Sequence, residues 1–197
     1  MFLPCKIRVS GGFAVLAAWF VLANGWEPLA TVLGAAAVHE LGHWMVLRRL
    51  GAEITAVRLN VLGAAMETDR RRLSYGGELA AVLAGPTANF CAALALTILG
   101  KDRWFAAVGA NLALCAFNLL PIRPLDGGRA LYLLTSWMGG PAAGETAVRW
   151  IGTLSSAALA GGLGDVMWRT KGSLWLLPAL LTGLRWGAAP WFSSAYP

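Results

Sequence analysis

The only two histidines of the chain lie four residues apart, in the segment His39-Glu40-Leu41-Gly42-His43. On an α-helix, residues at this spacing share one face and lie about 6 Å apart along the axis, so both imidazoles could bind the same metal ion. Histidines at this spacing commonly bind zinc, and the glutamate between them is then close enough to activate a water molecule at the ion. The segment therefore predicts a zinc site with Glu40 as its acid–base group.

The alternative for these side chains is a structural role, as polar residues packed inside a helix bundle. That alternative buries two imidazoles and a carboxylate directly after the apolar run 33–38. Ionisable groups at membrane depth are costly to bury and usually have a function. The motif and its apolar surroundings therefore favour the metal site.

A catalytic zinc usually has three protein ligands and one open position, so a third ligand is needed. No histidine remains, and the three cysteines form no metal-binding pattern. Most of the ten acidic residues, Glu145 among them, lie beside basic residues in predicted polar connections and are expected to be solvated. Asp126 differs, because it follows an apolar helix among prolines and glycines that break the helix at membrane depth. Asp126 is the candidate third ligand, and an ordinary turn aspartate is the alternative.

The composition requires a membrane around the elements that carry these groups. Of the 197 residues, 57% are hydrophobic and 13% are charged, whereas a soluble domain usually has about a quarter charged residues. The ten tryptophans, many of them near the ends of apolar stretches, suit an interfacial aromatic belt. The net charge of +6 comes from basic residues in the short gaps between apolar stretches, which indicates lipid headgroups rather than nucleic acid.

Six apolar stretches are predicted to form transmembrane helices, because most reach the ~20 residues that cross the hydrocarbon core. They are Gly11–Asn24, Pro28–Leu50, Gly77–Leu99, Trp104–Pro121, Thr146–Met167 and Leu174–Trp191. The first follows Lys6 and Arg8, as a signal peptide would, but its apolar run ends without a clear cleavage site, so we expect a retained helix. Between the second and third helices, Ile54–Met66 is expected to form a short extended hairpin against the membrane. The expected fold class is an all-α membrane protein with six transmembrane helices and this hairpin, organised as one domain over residues 1–197.

Basic residues in the connections predict the orientation of these helices. With six helices, twelve Lys and Arg residues fall on the side of the N-terminus and four on the opposite side. By the positive-inside rule, both termini then lie in the cytoplasm of a multi-pass cell-membrane protein. The second and fourth helices run in the same direction, so His43 and Asp126 are both expected toward the cytoplasmic side.

These residues and their order resemble the site-2 protease family of intramembrane metalloproteases. The zinc motif is followed by Asn118, Pro121 and Pro124-Leu125-Asp126-Gly127, and Gly85-Pro86-Thr87-Ala88-Asn89 is similar to a glycine-containing motif of the family core. The six-helix layout, with the zinc motif in the second helix, most resembles the bacterial sporulation branch that processes a pro-sigma factor. The resemblance covers roughly Leu33 to Arg129, and the flanking helices agree in number only.

The resemblance implies a zinc ion held by His39, His43 and Asp126, with Glu40 as general base and acid. The implied activity is a zinc-dependent endopeptidase that hydrolyses a peptide bond in or near the membrane. Its substrate would be a membrane-associated protein, such as a pro-sigma factor, an anti-sigma factor or a signal-peptide remnant. A regulatory membrane partner and a catalytic core at about 28–130 are also expected. The chain departs from the family in one respect, because neither the CBS domain common in the sporulation branch nor the PDZ domain of other branches is expected in it.

Two asparagines are further candidates on the same basis. Asn118 is a candidate contact for the substrate backbone or the developing oxyanion, and a hydrogen bond within the helix bundle is its alternative. Asn89 is a weaker substrate-binding candidate, because a polar residue in a membrane helix often makes a helix–helix hydrogen bond.

Two other functions compete with the protease. A metal transporter or channel would also place histidine and acidic side chains in the membrane, but it usually has several ligand sets along a path, and this sequence has one. A catalytically inactive relative is the second competitor, and the presence of His39, Glu40, His43 and Asp126 together argues against it. Membrane di-iron oxidases require many more than two histidines and are excluded.

Overall fold

The computed structural model describes residues 6–52, 54–60, 63–68, 73–100 and 104–169. Within these residues the chain forms β1 (Lys6–Val9), α1 (Gly11–Asn24), α2 (Trp26–Arg49), β2 (Ile54–Asn60), β3 (Gly63–Thr68), α3 (Tyr75–Gly100), α4 (Phe105–Asn118), α5 (Asp126–Gly139) and α6 (Pro141–Arg169). The chain divides into two compact units, Met1–Asn118 and Leu119–Pro197.

The core of the first unit lies where α2, α3 and α4 pack against one another. Gly42 of α2 sits against α3 so closely that an added Cβ would lie 2.5 Å from the Ala84 carbonyl oxygen and 2.7 Å from the Ala88 Cβ. A residue without a side chain is therefore required for this approach of the two backbones. The contact lies within one helical turn of both histidines, so it sets the separation of α2 and α3 where the metal site is expected.

A single residue joins α1 to α2. Gly25 has a φ of +87°, and its N–H donates to the carbonyl oxygen of Val21 at 2.8 Å. A positive φ of this kind favours glycine, because a side chain would clash with the backbone. The helices on either side of Gly25 therefore follow each other without an intervening loop.

A three-stranded sheet in the order β1-β2-β3 accompanies these helices. The segment expected to be an extended hairpin contains β2 and β3, which pair antiparallel from Ile54↔Thr68 to Asn60↔Gly63, with an irregularity between Ile54 and Ala56. β1, which the sequence pattern did not predict, pairs parallel to β2. Among the described strands, β3 has a neighbour on one side only.

The second unit consists of α5 and α6, which pack against each other in its described part. The sequence analysis was wrong to leave α5 out of its six helices. Its polar residues Arg129, Thr135 and Ser136 interrupt the apolar run, while Ala130, Leu133 and Ser136 are buried at helical spacing. A short helix of this mixed kind gives no continuous hydrophobic signal. The predicted sixth stretch, Leu174–Trp191, lies outside the described residues.

Among the described helices, α3 is the one that is long and apolar enough to cross a bilayer, with 26 residues. α1 and α4 are apolar but have 14 residues each. Fourteen helical residues rise about 21 Å, which is less than the ~30 Å thickness of the hydrocarbon core.

Candidate metal centre

The two histidines meet on one face of α2, as the four-residue spacing predicts. Their Nε2 atoms lie 3.0 Å apart, and the rings are edge-to-face with centroids separated by 4.7 Å. His39 is buried, with 6% of its surface exposed, and His43 is half-buried. The side chain of Glu40, between them in sequence, is also half-buried.

The ring of His43 is oriented by the backbone of α3. Its Nδ1 lies 2.8 Å from the carbonyl oxygen of Ala81. A carbonyl oxygen can only accept, so Nδ1 must carry the proton and donate it. In the neutral ring, Nε2 of His43 therefore carries no proton, and its lone pair can bind a metal.

The ring of His39 is oriented by a buried amide. Its Nδ1 lies 2.7 Å from Oδ1 of Asn89, whose exposed fraction is 0%. Nδ2 of Asn89 donates to the carbonyl oxygen of Ala35 at 2.9 Å and to Oδ1 of Asn111 at 2.8 Å. Because both partners of this atom are acceptors, it must be the amide nitrogen. The amide oxygen of Asn89 therefore faces His39. Nδ1 of His39 therefore donates, and in the neutral ring its Nε2 also carries no proton.

The arrangement of the two unprotonated Nε2 atoms shows whether this face of α2 could hold a metal ion. With both Nδ1 atoms donating, two neutral rings hold no proton between nitrogens that are 3.0 Å apart. Two lone pairs at that distance repel each other, and a cation bound by both turns the repulsion into attraction. Neutral imidazoles whose other nitrogen donates to a carbonyl or amide oxygen are the form in which histidine binds zinc. The arrangement of His39 and His43 therefore fits zinc.

Gly85 of α3 forms the wall opposite the two rings. An added Cβ there would overlap Nε2 of His43 and would lie 2.8 Å from Cε1 of His39. Glycine is required at this position because any side chain would occupy the space in front of the imidazoles. The sequence analysis singled out Gly85 only through the resemblance, because its role depends on how α3 packs on α2.

Asp126, in the second unit, is the first residue of α5 and is half-buried. The turn before it folds back over the start of this helix. A Cβ on Gly127 would overlap the Leu119 carbonyl, and one on Gly128 would lie 2.6 Å from the Ile122 carbonyl oxygen. The two glycines therefore allow the turn to close on α5, which gives Asp126 a defined backbone position in a first helical turn, where a carboxylate is favoured.

The same turn is tied to α6 by an ion pair. Nη2 of Arg123 lies 2.7 Å from Oε2 of Glu145, and the two side chains are 17% and 33% exposed. The expectation that Glu145 is a solvated charge in a connection was wrong. The unpredicted helix α5 returns the chain so that the start of α6 faces the turn, and Glu145 meets Arg123 there.

The two candidate asparagines occupy different surroundings. Asn118 ends α4, is half-buried, and donates through Nδ2 to the carbonyl oxygen of Leu114 at 3.0 Å. Asn89 is enclosed by helices and makes the helix–helix hydrogen bonds that were its alternative. Asn111 was missed by sequence reasoning. An amide in the middle of the apolar helix α4 was the signal that could have found it.

Comparison with known proteins shows that the chain is similar to zinc metalloproteases. No protein-family model matches it. It is 32% identical to a zinc metalloprotease of Methanocaldococcus jannaschii over 121 residues, which are 56% of this chain and 35% of that protein. It is 29% identical to stage IV sporulation protein FB of Bacillus subtilis over 138 residues, which are 66% of this chain and 48% of that protein. The matched regions cover between 27% and 48% of the curated relatives' lengths.

One solved structure shows the same fold. The site-2 protease from Methanocaldococcus jannaschii superposes with a TM-score of 0.65 over 100% of this chain and 98% of the other, at 21% identity. The chain therefore has the fold of a site-2 protease and is similar in sequence to zinc metalloproteases.

Proposed function

We propose that the protein is an intramembrane zinc-dependent endopeptidase, which hydrolyses a peptide bond of a membrane-associated protein in or near the bilayer. The observation that carries the proposal is the approach of the Nε2 atoms of His39 and His43, which lie 3.0 Å apart on the helix that also presents Glu40. The relation to zinc metalloproteases supports the same chemistry.

Asp126 is proposed as the third zinc ligand. Two histidines are two of the three protein ligands that a catalytic zinc normally has, and a carboxylate is a common third one. Asp126 is the acidic residue that the family resemblance assigns to this role, and its position in the first turn of α5 is fixed by the turn that precedes it. These three residues would hold the ion, and it would supply the Lewis acid for hydrolysis.

The proposed reaction uses the chain's own groups for proton transfer and positioning. Bound zinc supplies a Lewis acid that lowers the pKa of water and polarises the scissile carbonyl. Glu40 removes a proton from the attacking water and delivers it to the leaving amine. Asn118 is proposed to contact the substrate backbone or the developing oxyanion, where a hydrogen-bond donor stabilises the transition state.

Membrane localisation rests on the apolar composition and on α3. A multi-pass topology with a cytoplasmic N-terminus is proposed from the charges before α4, where eight basic residues lie on the N-terminal side and two on the other. The cytoplasmic C-terminus and a cytoplasmic-side active site are part of the proposal.

The substrate class is proposed to be a membrane-associated precursor or regulator, such as a pro-sigma or anti-sigma factor. The relation to a sporulation protein of Bacillus subtilis supports a substrate of this kind. The catalytic core is proposed to lie at about residues 28–130 of a single domain. A regulatory membrane partner completes the proposal.

Substitution of Asp126 by Asn is expected to lower zinc content from near one ion per chain to a small fraction, because the amide is a much weaker zinc ligand than the carboxylate. The measurement is metal analysis of detergent-purified full-length protein, with peptide cleavage recorded in parallel. Asp165→Asn is the matched control, since Asp165 is an exposed aspartate paired with Arg169 on α6.

Three outcomes would change the proposal. Full zinc content in Asp126→Asn would remove Asp126 from the ligand set. A wild type that holds no zinc under any condition would contradict the metal site itself. Bound zinc without cleavage of any membrane-protein substrate, together with metal flux in proteoliposomes, would favour the transporter.

The open edge of β3 is proposed to hold the substrate as an added strand. A helical substrate hides its peptide bonds and must unwind near the zinc, and an unpaired strand edge can receive the unwound segment through main-chain hydrogen bonds. β3 is suited to this, because β2 covers one of its edges and no described strand covers the other.

Proline substitutions at Ala64 and Ala65 test this role. Neighbouring residues of a strand direct their N–H groups to opposite sides, so one proline removes a donor toward β2 and the other removes a donor at the open edge. The edge-facing proline is expected to lower kcat/KM about fivefold, which corresponds to about 1 kcal/mol for one hydrogen bond. It should leave the thermal midpoint unchanged, whereas the other proline lowers it. Unchanged cleavage in both variants would contradict substrate pairing at β3.

A further inference from the structure

A chain of buried amides connects α4 to the metal-binding face of α2. Asn111 has 4% of its surface exposed and Asn89 has 0%. Asn111 accepts from Asn89 at 2.8 Å, and Asn89 in turn accepts from Nδ1 of His39 at 2.7 Å. Neither asparagine is among the proposed zinc ligands or the acid–base groups, so the proposed chemistry leaves their burial unexplained.

Each amide in this chain is held in one orientation. Nδ2 of Asn111 donates to the Ala107 carbonyl of its own helix at 2.9 Å, which turns its Oδ1 toward Asn89. The Asn89 amide accepts one hydrogen bond through its Oδ1 and donates two through its Nδ2. If it rotated by half a turn, its oxygen would face two other acceptors, the Ala35 carbonyl and Asn111 Oδ1. Such acceptor–acceptor contacts are unfavourable in a buried site, so Asn111 and Ala35 together fix the Asn89 oxygen toward His39.

We propose that Asn111 is a positioning residue that acts through Asn89 to set the tautomer of His39. The Asn89 oxygen requires a proton on Nδ1 of His39, and the lone pair on Nε2 is thereby directed to the shared face with His43. If the amide turned, its NH₂ would favour the proton on Nε2, which would block metal binding. This inference rests on the proposed zinc site, but the tautomer itself can be observed without any metal.

Outer-shell hydrogen bonds of this kind have measurable effects on metal sites. Loss of an outer-shell partner typically costs 10–100-fold in metal affinity or activity. Asn89→Leu removes the acceptor of His39 and is expected to weaken zinc binding about 100-fold, whereas Asn111→Leu leaves Ala35 to orient Asn89 and is expected to weaken it about 10-fold. Asn111→Asp keeps an acceptor for Asn89 and should restore affinity to within a few-fold of the wild type.

The first experiment reads the tautomer in metal-free, full-length protein in detergent. Because the chain has two histidines, ¹⁵N-labelling of histidine gives two ring spin systems, and a His43→Gln variant identifies the signals of His39. For the neutral rings, we expect the proton of His39 on Nδ1 in the wild type and in Asn111→Asp. Asn111→Leu should show a mixture of tautomers, and Asn89→Leu should lose the preference for Nδ1.

The second experiment measures zinc affinity by chelator competition and the visible spectrum after cobalt substitution. Thr97→Val is the control, because it removes a hydrogen bond within α3 and does not touch the amide chain. Unchanged tautomer and affinity in Asn111→Leu would overturn the proposal, as would equal losses in Asn111→Leu and Asn111→Asp. A wild type that shows the Nδ1 tautomer but binds no zinc would overturn the proposed enzyme and leave the role of the amide chain in place.

Discussion

Substitution of Glu40 by Gln is expected to lower peptide cleavage by about 10²–10⁴-fold while zinc remains bound, which is the range for loss of a general acid–base group. Glutamine has nearly the same shape as glutamate but cannot accept the proton of the attacking water. Asn89 and Ala81 hydrogen-bond the rings of His39 and His43, so we expect the two proposed zinc ligands to keep their positions in this variant. The measurement is kcat/KM on a membrane-protein substrate together with zinc content of the same preparation.

Glu27→Gln on the same helix is the matched control for this substitution. Glu27 lies in the first turn of α2 and is exposed, so its replacement should change neither cleavage nor zinc content. Cleavage by Glu40→Gln within threefold of the wild type would show that another group transfers the proton. Loss of zinc together with loss of cleavage would instead give Glu40 a role in metal binding.

Substitution of Gly85 by Ala is expected to abolish zinc binding. The new methyl group would overlap Nε2 of His43 and press on Cε1 of His39, so both rings must leave the positions in which they share one ion. We expect affinity to fall by more than the ~100-fold that accompanies loss of an outer-shell partner, since the ligands themselves are displaced. Strain from overpacking should also cost about 1–3 kcal/mol of folding free energy. Chelator competition and thermal unfolding measure the two effects separately.

Gly109→Ala provides the comparison for the Gly85 variant. Gly109 lies in the middle of α4, and an added Cβ there would have nothing within 4 Å. Alanine at such a helical position should stabilise the fold by about 0.5–1 kcal/mol without affecting zinc. A Gly85→Ala protein that binds zinc as tightly as the Gly109→Ala protein would mean that α3 can move away from the histidines at little cost.

The sequence predicted the local part of the site well and its surroundings poorly. The position of His39 and His43 on one helical face follows from the four-residue spacing alone, because helix geometry is local. The roles of Gly85 and Asn111 follow from the packing of α3 and α4 against α2, and no pattern within one segment encodes them. The amide of Asn111 is visible in the sequence only as a polar residue in an apolar helix.

Errors in the second unit have a single physical origin. The polar residues Arg129, Thr135 and Ser136 interrupt the apolar residues of α5, so a search for continuous apolar stretches passes over it. Once α5 is omitted, Glu145 falls in an apparent connection, and its ion pair with Arg123 cannot be foreseen. Half-polar helices in a membrane protein are the elements for which hydropathy alone is least informative.

The first helix and the helix that carries the histidines meet at Gly25, with no loop between them. A displacement of α1, for example when the bilayer thickens or a neighbouring protein presses on it, cannot be absorbed by a loop. It must rotate α2 about one residue, bend α2, or be resisted by the packing of α2 on α3 and α4. The first helix is therefore coupled to the site through a pivot at Gly25, which lies fourteen residues, about four helical turns, before the first proposed metal ligand, His39.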